Sequence, residues 1–447
     1  MSGLEIVPRS ISFATAALSN FARGRYRLET AGSTSAGPSS IVTVTLPSHA
    51  CCDLRSFRLH MRLTTTSDST NSVFAKLPAD ASSLIQSVEV YIGGVQVQSC
   101  NEYNQISRIL KTVRSSRDRD GSVDSLCSHG LITSDDAVDD VDVVISDWKG
   151  FLGESSTRML PTNITSDCTI RISFAPTSVL AFKQSNVSIG GNFTNSASRA
   201  AAALLTYSVS NIHATIDTIN LGPAYESMLR QRLQSEEFLP LNFKEYLAFN
   251  LHGTTGNAHS VKFSVSASSI NKCYAVFRDS NCISSGIKTQ LYQGVSNTDA
   301  SCANAFYYKS FNDSNDKIGS LRYHWTCANV RMPQYDATIL DAAADLSLLE
   351  DQVSTEGRGH MVTSLKQFNN GSCVLPLILD LPGQGINVTS GWNSKGTSTQ
   401  MSLEVSGQTP STAAAASGVT ASISTLVIVE TTAQLRISGN SQVGVSF

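Results

Sequence analysis

VEVYIGGVQVQ, residues 88–98, reads as two short β-strands around a tight turn at Gly93-Gly94. Two consecutive glycines suit the two-residue turns that need positive φ angles at both central positions. The cross-strand pairs that this turn predicts are Ile92 with Val95 and Val90 with Val97. The polar side chains that then lie on the opposite face are Glu89, Tyr91, Gln96 and Gln98. The stretch predicts a hairpin with one buried face and carries no side chain arranged for catalysis.

The same alternation of apolar and polar residues recurs along most of the chain and predicts an all-β protein. In the strand predicted at 56–65, one face carries Phe57, Leu59, Met61 and Leu63. The other predicted strands are 40–46, 168–176, 203–221, 243–251, 259–267, 271–280, 372–381, 400–407, 424–437 and 442–447. Helical spacing of apolar residues predicts helices at 101–113, with Asn101 as candidate N-cap, at 224–237 and at 338–352.

The order of elements is similar in the two halves of the chain. Each half contains strands, an insertion, a helix and further strands, and the boundary falls near residues 222–240. The length of 447 residues exceeds what one typical core contains and suits two or three domains. Each half has the size and the strand pattern of a β-sandwich, a class that includes the eight-stranded jelly roll.

The charge balance argues against a protein that binds nucleic acid over its whole surface. Only 15% of the residues are charged, and the net charge is −3. Hydrophobic residues make up 41% of the chain, which can therefore bury large cores beneath an unusually neutral surface.

Residues 1–40 have the composition of an N-terminal arm. They contain Arg9, Arg23, Arg25 and Arg27 and end in the flexible stretch AGSTSAGPSS. One interpretation is a terminus that packs on a neighbouring molecule. The other is a basic arm that faces packaged nucleic acid or a membrane. In either case we expect ordered β structure to begin at Ser40.

The segment 118–147 is loop-like and carries a cluster of acidic residues. The clustered carboxylates are Asp135, Asp136, Asp139, Asp140 and Asp142. A calcium site is conceivable, but the residue order of an EF-hand, with its glycine and terminal glutamate, is missing. We therefore expect an exposed and solvated loop.

Neither the cysteines nor the histidines form a recognisable reactive motif. The ten cysteines, at 51, 52, 100, 127, 168, 273, 282, 302, 327 and 373, contain no CxxC pair. Their scatter favours reduced core residues over disulfides. Among the eight histidines, His60 and His213 lie in predicted strands and are expected to be structural, whereas His360 in TEGRGHM has no evident role. We assign no catalytic, cofactor-binding or metal-binding residue.

No signal peptide or membrane span is evident in the sequence. The first residues lack a basic segment followed by a long apolar core, and no apolar run reaches the ~18 residues of a transmembrane helix. Glycosylation sequons occur at Asn163, Asn186, Asn192, Asn312, Asn370 and Asn387. In a chain rich in Asn, Ser and Thr we expect them to be chance matches.

Three stretches together resemble the double jelly-roll major capsid proteins of eukaryotic double-stranded DNA viruses, within the polinton-like virus, adintovirus and virophage group. Residues 82–110, SSLIQSVEVYIGGVQVQSCNEYNQISRIL, look like the family's hairpin and helix. Residues 211–251 look like the last strand of one roll, the connecting helix and the first strand of the next. Residues 390–407, SGWNSKGTSTQMSLEVSG, and residues 424–445, STLVIVETTAQLRISGNSQVGV, look like the family's closing strands. The insertions at 118–165 and 281–335 match nothing in the family.

The resemblance implies an all-β fold of two tandem jelly-roll β-sandwiches, with short helices and inter-strand insertions. The units are then an N-terminal arm at 1–40, a first jelly roll at 41–222, a linker helix at 223–240 and a second jelly roll at 241–447. It further implies a homotrimer that tiles an icosahedral virion capsid assembled inside the host cell. The implied partners are penton and minor capsid proteins, an internal membrane, and packaged DNA contacted through the arm; the family has no cofactor.

Two other functions are compatible with a β-sandwich chain. The sequons favour a cell-surface or secreted binding protein of the adhesin or lectin type, whereas the missing signal peptide and the scattered cysteines oppose it. A β-sandwich hydrolase would need two positioned carboxylates, for which only dispersed acidic residues are available.

Overall fold

The computed structural model consists mainly of antiparallel β-strands, which form two sandwiches. It describes residues 21–48, 50–78, 80–113, 137–185, 201–221, 223–236, 238–254, 256–279, 306, 308–312, 318–350, 368–369, 371–381, 386, 389–395, 400–409, 422–438 and 442–447. Alternate residues of the strands form the core, as predicted. At 56–65 the inward side chains, each no more than 2% exposed, are Phe57, Leu59, Met61 and Leu63.

The first sandwich contains eight principal strands. They are β1 (Phe21–Glu29), β2 (Ile41–Thr45), β3 (Cys51–Thr65), β4 (Ile85–Ile92), β5 (Val95–Asn101), β6 (Asp140–Ile145), β7 (Cys168–Phe174) and β8 (Tyr207–Leu221). One sheet has the order β1-β8-β3-β6 and the other the order β2-β7-β4-β5. The short strand Met159–Pro161 is added beside β3. A small third sheet is formed by Ala181–Gln184, Val73–Lys76 and Ser67–Asp68.

The second sandwich repeats this arrangement. Its strands are β9 (Phe238–Thr254), β10 (Ala258–Ser264), β11 (Ile270–Asp279), β12 (Arg322–Cys327), β13 (Val330–Ala337), β14 (Val374–Ile378), β15 (Gln400–Ser406) and β16 (Ile423–Ser438). The sheets have the orders β9-β16-β11-β14 and β10-β15-β12-β13. The last strand, Val443–Ser446, pairs with β16.

Each strand of the second sandwich therefore has a counterpart eight strands earlier in the first. Eight antiparallel strands divided between two sheets in this order constitute a jelly roll, because the chain passes repeatedly from one sheet to the other. The predicted fold class, an all-β double jelly roll, is confirmed.

Within the described residues, three complete α-helices lie between the strands. They are α1 (Tyr103–Val113), α2 (Pro223–Glu236) and α3 (Ile339–Glu350). Helices α1 and α3 each follow the fifth strand of their roll, and α2 connects the rolls. Asn101, the candidate N-cap, is instead the last residue of β5, and Glu102 turns the chain into α1 with a φ of 55°. None of the described helices is long and apolar enough to cross a membrane.

The hairpin predicted at residues 88–98 is present, but the register of its two strands differs from the predicted one. Gly93 and Gly94 make the turn with φ angles of 58° and 80°. A register shift next to the turn pairs Val90 with Gln98 rather than with Val97. The shift is a β-bulge, in which one strand contains an extra residue.

The bulge changes which side chains are buried. Val97 and Gln98 are both buried, at 0% and 1% exposure, whereas Val95 is 40% exposed. The predicted positions of Val95 on the buried face and of Gln98 on the exposed face are therefore wrong. A strict alternation cannot anticipate a bulge, which moves all later residues of the strand by one position.

Ordered β structure begins before Ser40, so residues 21–29 are not an arm. They form β1, an edge strand that pairs with β8 along its full length. Arg23 and Arg25 bind the Asp217 carboxylate of β8, with N–O distances of 2.5 and 2.6 Å. These bonds, first of all the one from Arg25, lower the pKa of Asp217 to about 2. Arg23, Arg25 and Arg27, which suggested a basic arm, therefore belong to the sheet, whereas Arg9 lies outside the described residues.

Three strands lie in segments predicted to be loops or insertions. Strand β6 contains Asp140 and Asp142 of the acidic cluster, β12 lies within 281–335, and β13 begins within that segment and ends at Ala337. The sequence of β6, DVDVVI, does alternate, but its aspartates suggested a solvated loop. Strand β13 contains Pro333, which is tolerated because β13 lies at the edge of its sheet.

Val90→Asp should prevent recovery of folded protein, because Val90 is fully buried in β4 and an unpaired charge there has no partner. The matched control is Val95→Asp in the same hairpin, which changes a residue that is 40% exposed and should fold. Size-exclusion chromatography and far-UV circular dichroism report the outcome. A normal yield of folded Val90→Asp protein would contradict the burial of this face.

Candidate functional site

The two histidines predicted in strands meet on the outer face of the first roll. The register of β3 and β8 places His60 opposite His213, and their rings stack with centroids 4.8 Å apart. His60 Nε2 lies 3.1 Å from Thr215 Oγ1, and burial, followed by His213, lowers the pKa of His60. His360 lies outside the described residues. Within the described part of the chain, no group of three or more His, Cys, Asp or Glu side chains could hold a metal ion.

The described aspartates of the acidic cluster divide between the core and the surface. Asp139 is buried and forms an ion pair with Lys76, with 3.0 Å between Oδ1 and Nζ. Its other carboxylate oxygen accepts the Leu77 N–H at 2.8 Å. Asp140, in contrast, pairs with Arg62 on the surface. The expectation of an exposed loop is therefore wrong at Asp139; Asp135 and Asp136 lie outside the described residues.

The described cysteines are reduced core residues, as predicted. Those that are free and buried are Cys51, Cys52, Cys100, Cys168, Cys273, Cys327 and Cys373. Burial raises the pKa of Cys51 and Cys327 to about 11 and that of Cys373 to about 12. These thiols are therefore protonated at neutral pH and poor nucleophiles.

The most elaborate polar arrangement lies where the two rolls meet. We call it the inter-roll seam, formed by β5 and residues 148–156 of the first roll and by β9 of the second. Ser155 and Phe243 form a backbone bridge, and Ser156 N–H donates to the Asn242 carbonyl at 2.7 Å. Asn242 N–H in turn donates to Ser156 Oγ at 3.0 Å. Backbone bonds at the edge of β9 thus fix the register of one roll against the other.

Gln98, displaced inward by the bulge, bridges the seam. Its Oε1 accepts the Phe151 N–H at 2.8 Å, and its Nε2 donates to the Lys244 carbonyl at 3.3 Å. Phe151 also packs edge-on against Phe243, with ring centroids 5.3 Å apart. The bulge therefore has a structural purpose, since it turns an amide toward the second roll.

An ion pair between β9 and β16 of the second roll lies beside the seam. Lys244 Nζ lies 2.8 Å from Glu430 Oε1, and the Tyr246 hydroxyl donates to Glu154 Oε2 at 2.7 Å. Burial alone would lower the pKa of Lys244, but Glu430 and Glu154 raise it above its ordinary value. Lys244, whose side chain is 29% exposed, therefore stays protonated at neutral pH.

Glu245 differs from its neighbours because it has no cationic partner among the groups that set its pKa. It is 4% exposed and lies next to Cys100 of β5, and its carboxylate accepts a hydrogen bond from the Ser99 N–H. Burial raises the pKa of Glu245 to about 7, and the bond from Ser99 only partly opposes this. Glu245 therefore changes charge near neutral pH at the boundary between the rolls.

A second contact between the rolls involves the helices. Tyr308 of the second roll donates its hydroxyl to Gln105 Oε1 of α1 at 3.0 Å, and α1 touches α3. The seam and this contact join the two rolls through separate elements. Sequence reasoning missed the seam because nothing in a single strand marks which outward side chains face another sandwich.

Fold and seam together define the chain as a double jelly-roll protein. No protein-family model matches the sequence, and no curated protein does either. Solved structures do match, and they are double jelly-roll major capsid proteins.

The matching structures extend over nearly the whole chain. PBCV-1 VP54, fitted into a reconstruction of the virophage Sputnik, has a TM-score of 0.61 at 13% identity, covering 98% of this chain and 99% of that one. The Sputnik virophage structure gives 0.54 at 12% identity, covering 99% and 91%. The Faustovirus major capsid protein gives 0.50 at 9% identity, covering 96% and 92%. At these identities the likeness establishes the fold.

Proposed function

We propose that the protein is a major capsid protein: a structural subunit that forms trimers, which tile an icosahedral shell around a double-stranded DNA genome. The observation that carries this proposal is the match to PBCV-1 VP54, which covers 98% of this chain and 99% of the other. The match therefore extends over both jelly rolls of the chain.

The physical chemistry of the chain supports a structural rather than a catalytic role. Subunits that associate over large areas avoid large desolvation penalties when few charges are buried, and only 15% of the residues here are charged. The inter-roll seam stiffens the subunit, as a shell wall requires. The alternative of an adhesin or lectin-like protein finds no support among the structural matches.

Self-association is the partner interaction with the most support, since the matching structures include capsid assemblies. Penton and minor capsid proteins and an internal membrane are further proposed partners. Arg23 and Arg25 are bound to Asp217, so DNA contact through an arm is proposed only for residues 1–20, which lie outside the described residues. The Sputnik match supports placing the chain near the virophages within the wider polinton-like group.

We also propose a domain division adjusted to the strands. The first jelly roll, predicted at 41–222, also includes β1. The linker segment 223–240 contains α2 and the first residues of β9. The second jelly roll occupies 241–447.

The proposal is tested by the assembly state of the purified chain. Light scattering after size exclusion should give a mass near three times 47.8 kDa, and electron microscopy should show shells or their fragments. A monomer at all concentrations that binds glycans would instead support the adhesin-like alternative.

A further inference from the structure

A buried lysine lies between two carboxylates in the second roll, in the sheet β9-β16-β11-β14. Lys272 of β11 is directly opposite Glu430 of β16 on one side and Ile378 of β14 on the other. Asp380 follows Ile378 by two residues and therefore lies on the same face of the sheet. Lys272 Nζ is 3.6 Å from Asp380 Oδ2. An acid from each neighbouring strand thus stands beside one amine.

The three groups are buried and held in position. Lys272 is 8% exposed and Glu430 is 2% exposed, and the side chain of Asp380 is 17% exposed. The backbone N–H groups of Leu379 and Asp380 both donate to the Asn271 carbonyl, at 2.8 and 3.1 Å. These bonds fix the Asp380 backbone against β11, next to Lys272.

The contact between Lys272 and Asp380 is not that of a well-made ion pair. A distance of 3.6 Å is too long for a hydrogen bond. The other carboxylate oxygen, Asp380 Oδ1, is buried and finds no hydrogen-bond partner among the described residues. Burial raises the pKa of Asp380; Lys272 opposes the shift and Glu430 adds to it. Two charges in this setting are costly, so a neutral amine beside a neutral acid is favoured relative to water.

Two other buried lysine–carboxylate pairs of the chain are built differently. Lys76 and Asp139 are 3.0 Å apart, and each group has a further hydrogen-bond partner in the backbone. Lys244 lies 2.8 Å from Glu430 and stays protonated, so that its nitrogen has no lone pair to share. Of the three pairs, Lys272 with Asp380 is the one in which the two groups touch without a hydrogen bond while a third acid is adjacent.

We propose that Lys272 and Asp380 become joined by an isopeptide bond, which the folded chain forms by itself with Glu430 carrying the proton. Lys272 first passes a proton through Glu430 to Asp380, which leaves an amine beside a carboxylic acid. The Nζ lone pair attacks Asp380 Cγ and forms the C–N bond. A second Nζ proton passes through Glu430 to the departing hydroxyl group. The Cγ–O bond breaks with its electron pair, one water molecule leaves, and Glu430 returns to its starting state.

The surroundings suit this condensation. An amine held beside a carboxyl reacts at an effective concentration that free groups never reach. Glu430 is kept in place by Lys244 and by a hydrogen bond with Asn271, as a proton carrier must be. Tyr274, two residues along β11 and only 3% exposed, shields the site from bulk water. The reaction needs no oxidant or cofactor, and it removes both charges of the pair.

The bond has a mechanical consequence for the second roll. It ties the central strand β11 to the end of β14, which lies at the edge of the sheet. It also closes a loop of about 100 residues, which contains the whole insertion 281–335, and so restricts the unfolded chain. The inference goes beyond the proposed capsid role and does not depend on it.

Mass spectrometry of the denatured wild-type chain tests the proposal. Its intact mass should be lower than the mass of the sequence by one water molecule. Proteolytic digestion should yield a branched peptide in which Lys272 is linked to Asp380. The peptides that contain Lys76 and Asp139 provide an internal control and should be recovered without a link.

Two variants separate the nucleophile from the proton carrier. Lys272→Arg keeps the charge but removes the amine, and it should have the full mass of its sequence. Glu430→Gln should form the bond roughly 100-fold more slowly, so that freshly purified protein is mostly unlinked. Glu404→Gln is the matched control, because its side chain is 50% exposed on β15, and it should be linked like the wild type. Far-UV circular dichroism identifies the folded fraction in which each mass is compared.

The opposite results are equally clear. A folded wild-type chain with the full mass of its sequence would overturn the proposal, and so would a loss of water located at any other pair of residues. Equal rates of linkage in Glu430→Gln and Glu404→Gln would overturn the role of Glu430. A linked chain that remained monomeric would support the isopeptide bond while contradicting the capsid role.

Discussion

Asp139→Ala should lower the free energy of unfolding by about 3–5 kcal/mol, because it leaves the Lys76 ammonium buried without its carboxylate. Lys76 and Asp139 have side-chain exposures of 0% and 1%. Lys76 Nζ also donates to the Ala137 carbonyl at 2.7 Å, a bond that cannot neutralise the charge. The same substitution removes the acceptor of the Leu77 N–H.

The adjacent residue supplies the control. Asp140 pairs with Arg62, but both side chains are about half exposed, at 43% and 51%. Asp140→Ala should therefore cost far less stability than Asp139→Ala, because solvent screens the exposed pair. Urea unfolding followed by circular dichroism measures both variants. Equal losses in the two would contradict the buried pair. The double change Lys76→Met with Asp139→Leu should restore much of the stability, because no charge then remains buried.

Glu245→Gln should stabilise the protein above neutral pH and remove a pH dependence. The folded chain raises the pKa of Glu245 from 4.5 to about 7, so folding favours its protonated form. Stability is therefore lost as the pH rises from about 4.5 to about 7, and it changes no further above that range. A carboxyl with these two pKa values contributes a penalty of about 3 kcal/mol at pH 8. Glutamine has the shape of the neutral acid and avoids this penalty.

The measurement is the difference in unfolding free energy between Glu245→Gln and the wild type at pH 5 and pH 8. We expect a small difference at pH 5 and a large stabilisation at pH 8. Glu404→Gln is the control, since its side chain is 50% exposed and well solvated. A Glu245→Gln difference that is the same at both pH values would show that Glu245 does not titrate in this range.

The fold could be predicted from the sequence to the extent that local patterns determine it. Alternation located most strands, and the Gly-Gly pair located the hairpin turn correctly. The bulge beside it was not predictable, because nothing between Gly94 and Gln98 distinguishes a bulged strand from a regular one. What favours the bulge is distant: the Gln98 amide finds partners at Phe151 and Lys244.

Strand β1 shows the same dependence on tertiary structure. FARGRYRLE has arginine at every second position and reads as a solvated segment. It becomes a strand because β8 pairs with it along its full length and because Asp217 binds two of its arginines. The inter-roll seam could not be predicted from the sequence either, since its hydrogen bonds join residues about 50 to 150 positions apart. Pairings over such separations leave no local pattern.

The linker helix α2 has a kinetic consequence for assembly. Its 14 residues, Pro223–Glu236, tether the two rolls, so that the second roll meets the first at an effective concentration in the millimolar range. The contact between the two rolls of one chain therefore forms without a bimolecular encounter, and its formation does not depend on protein concentration.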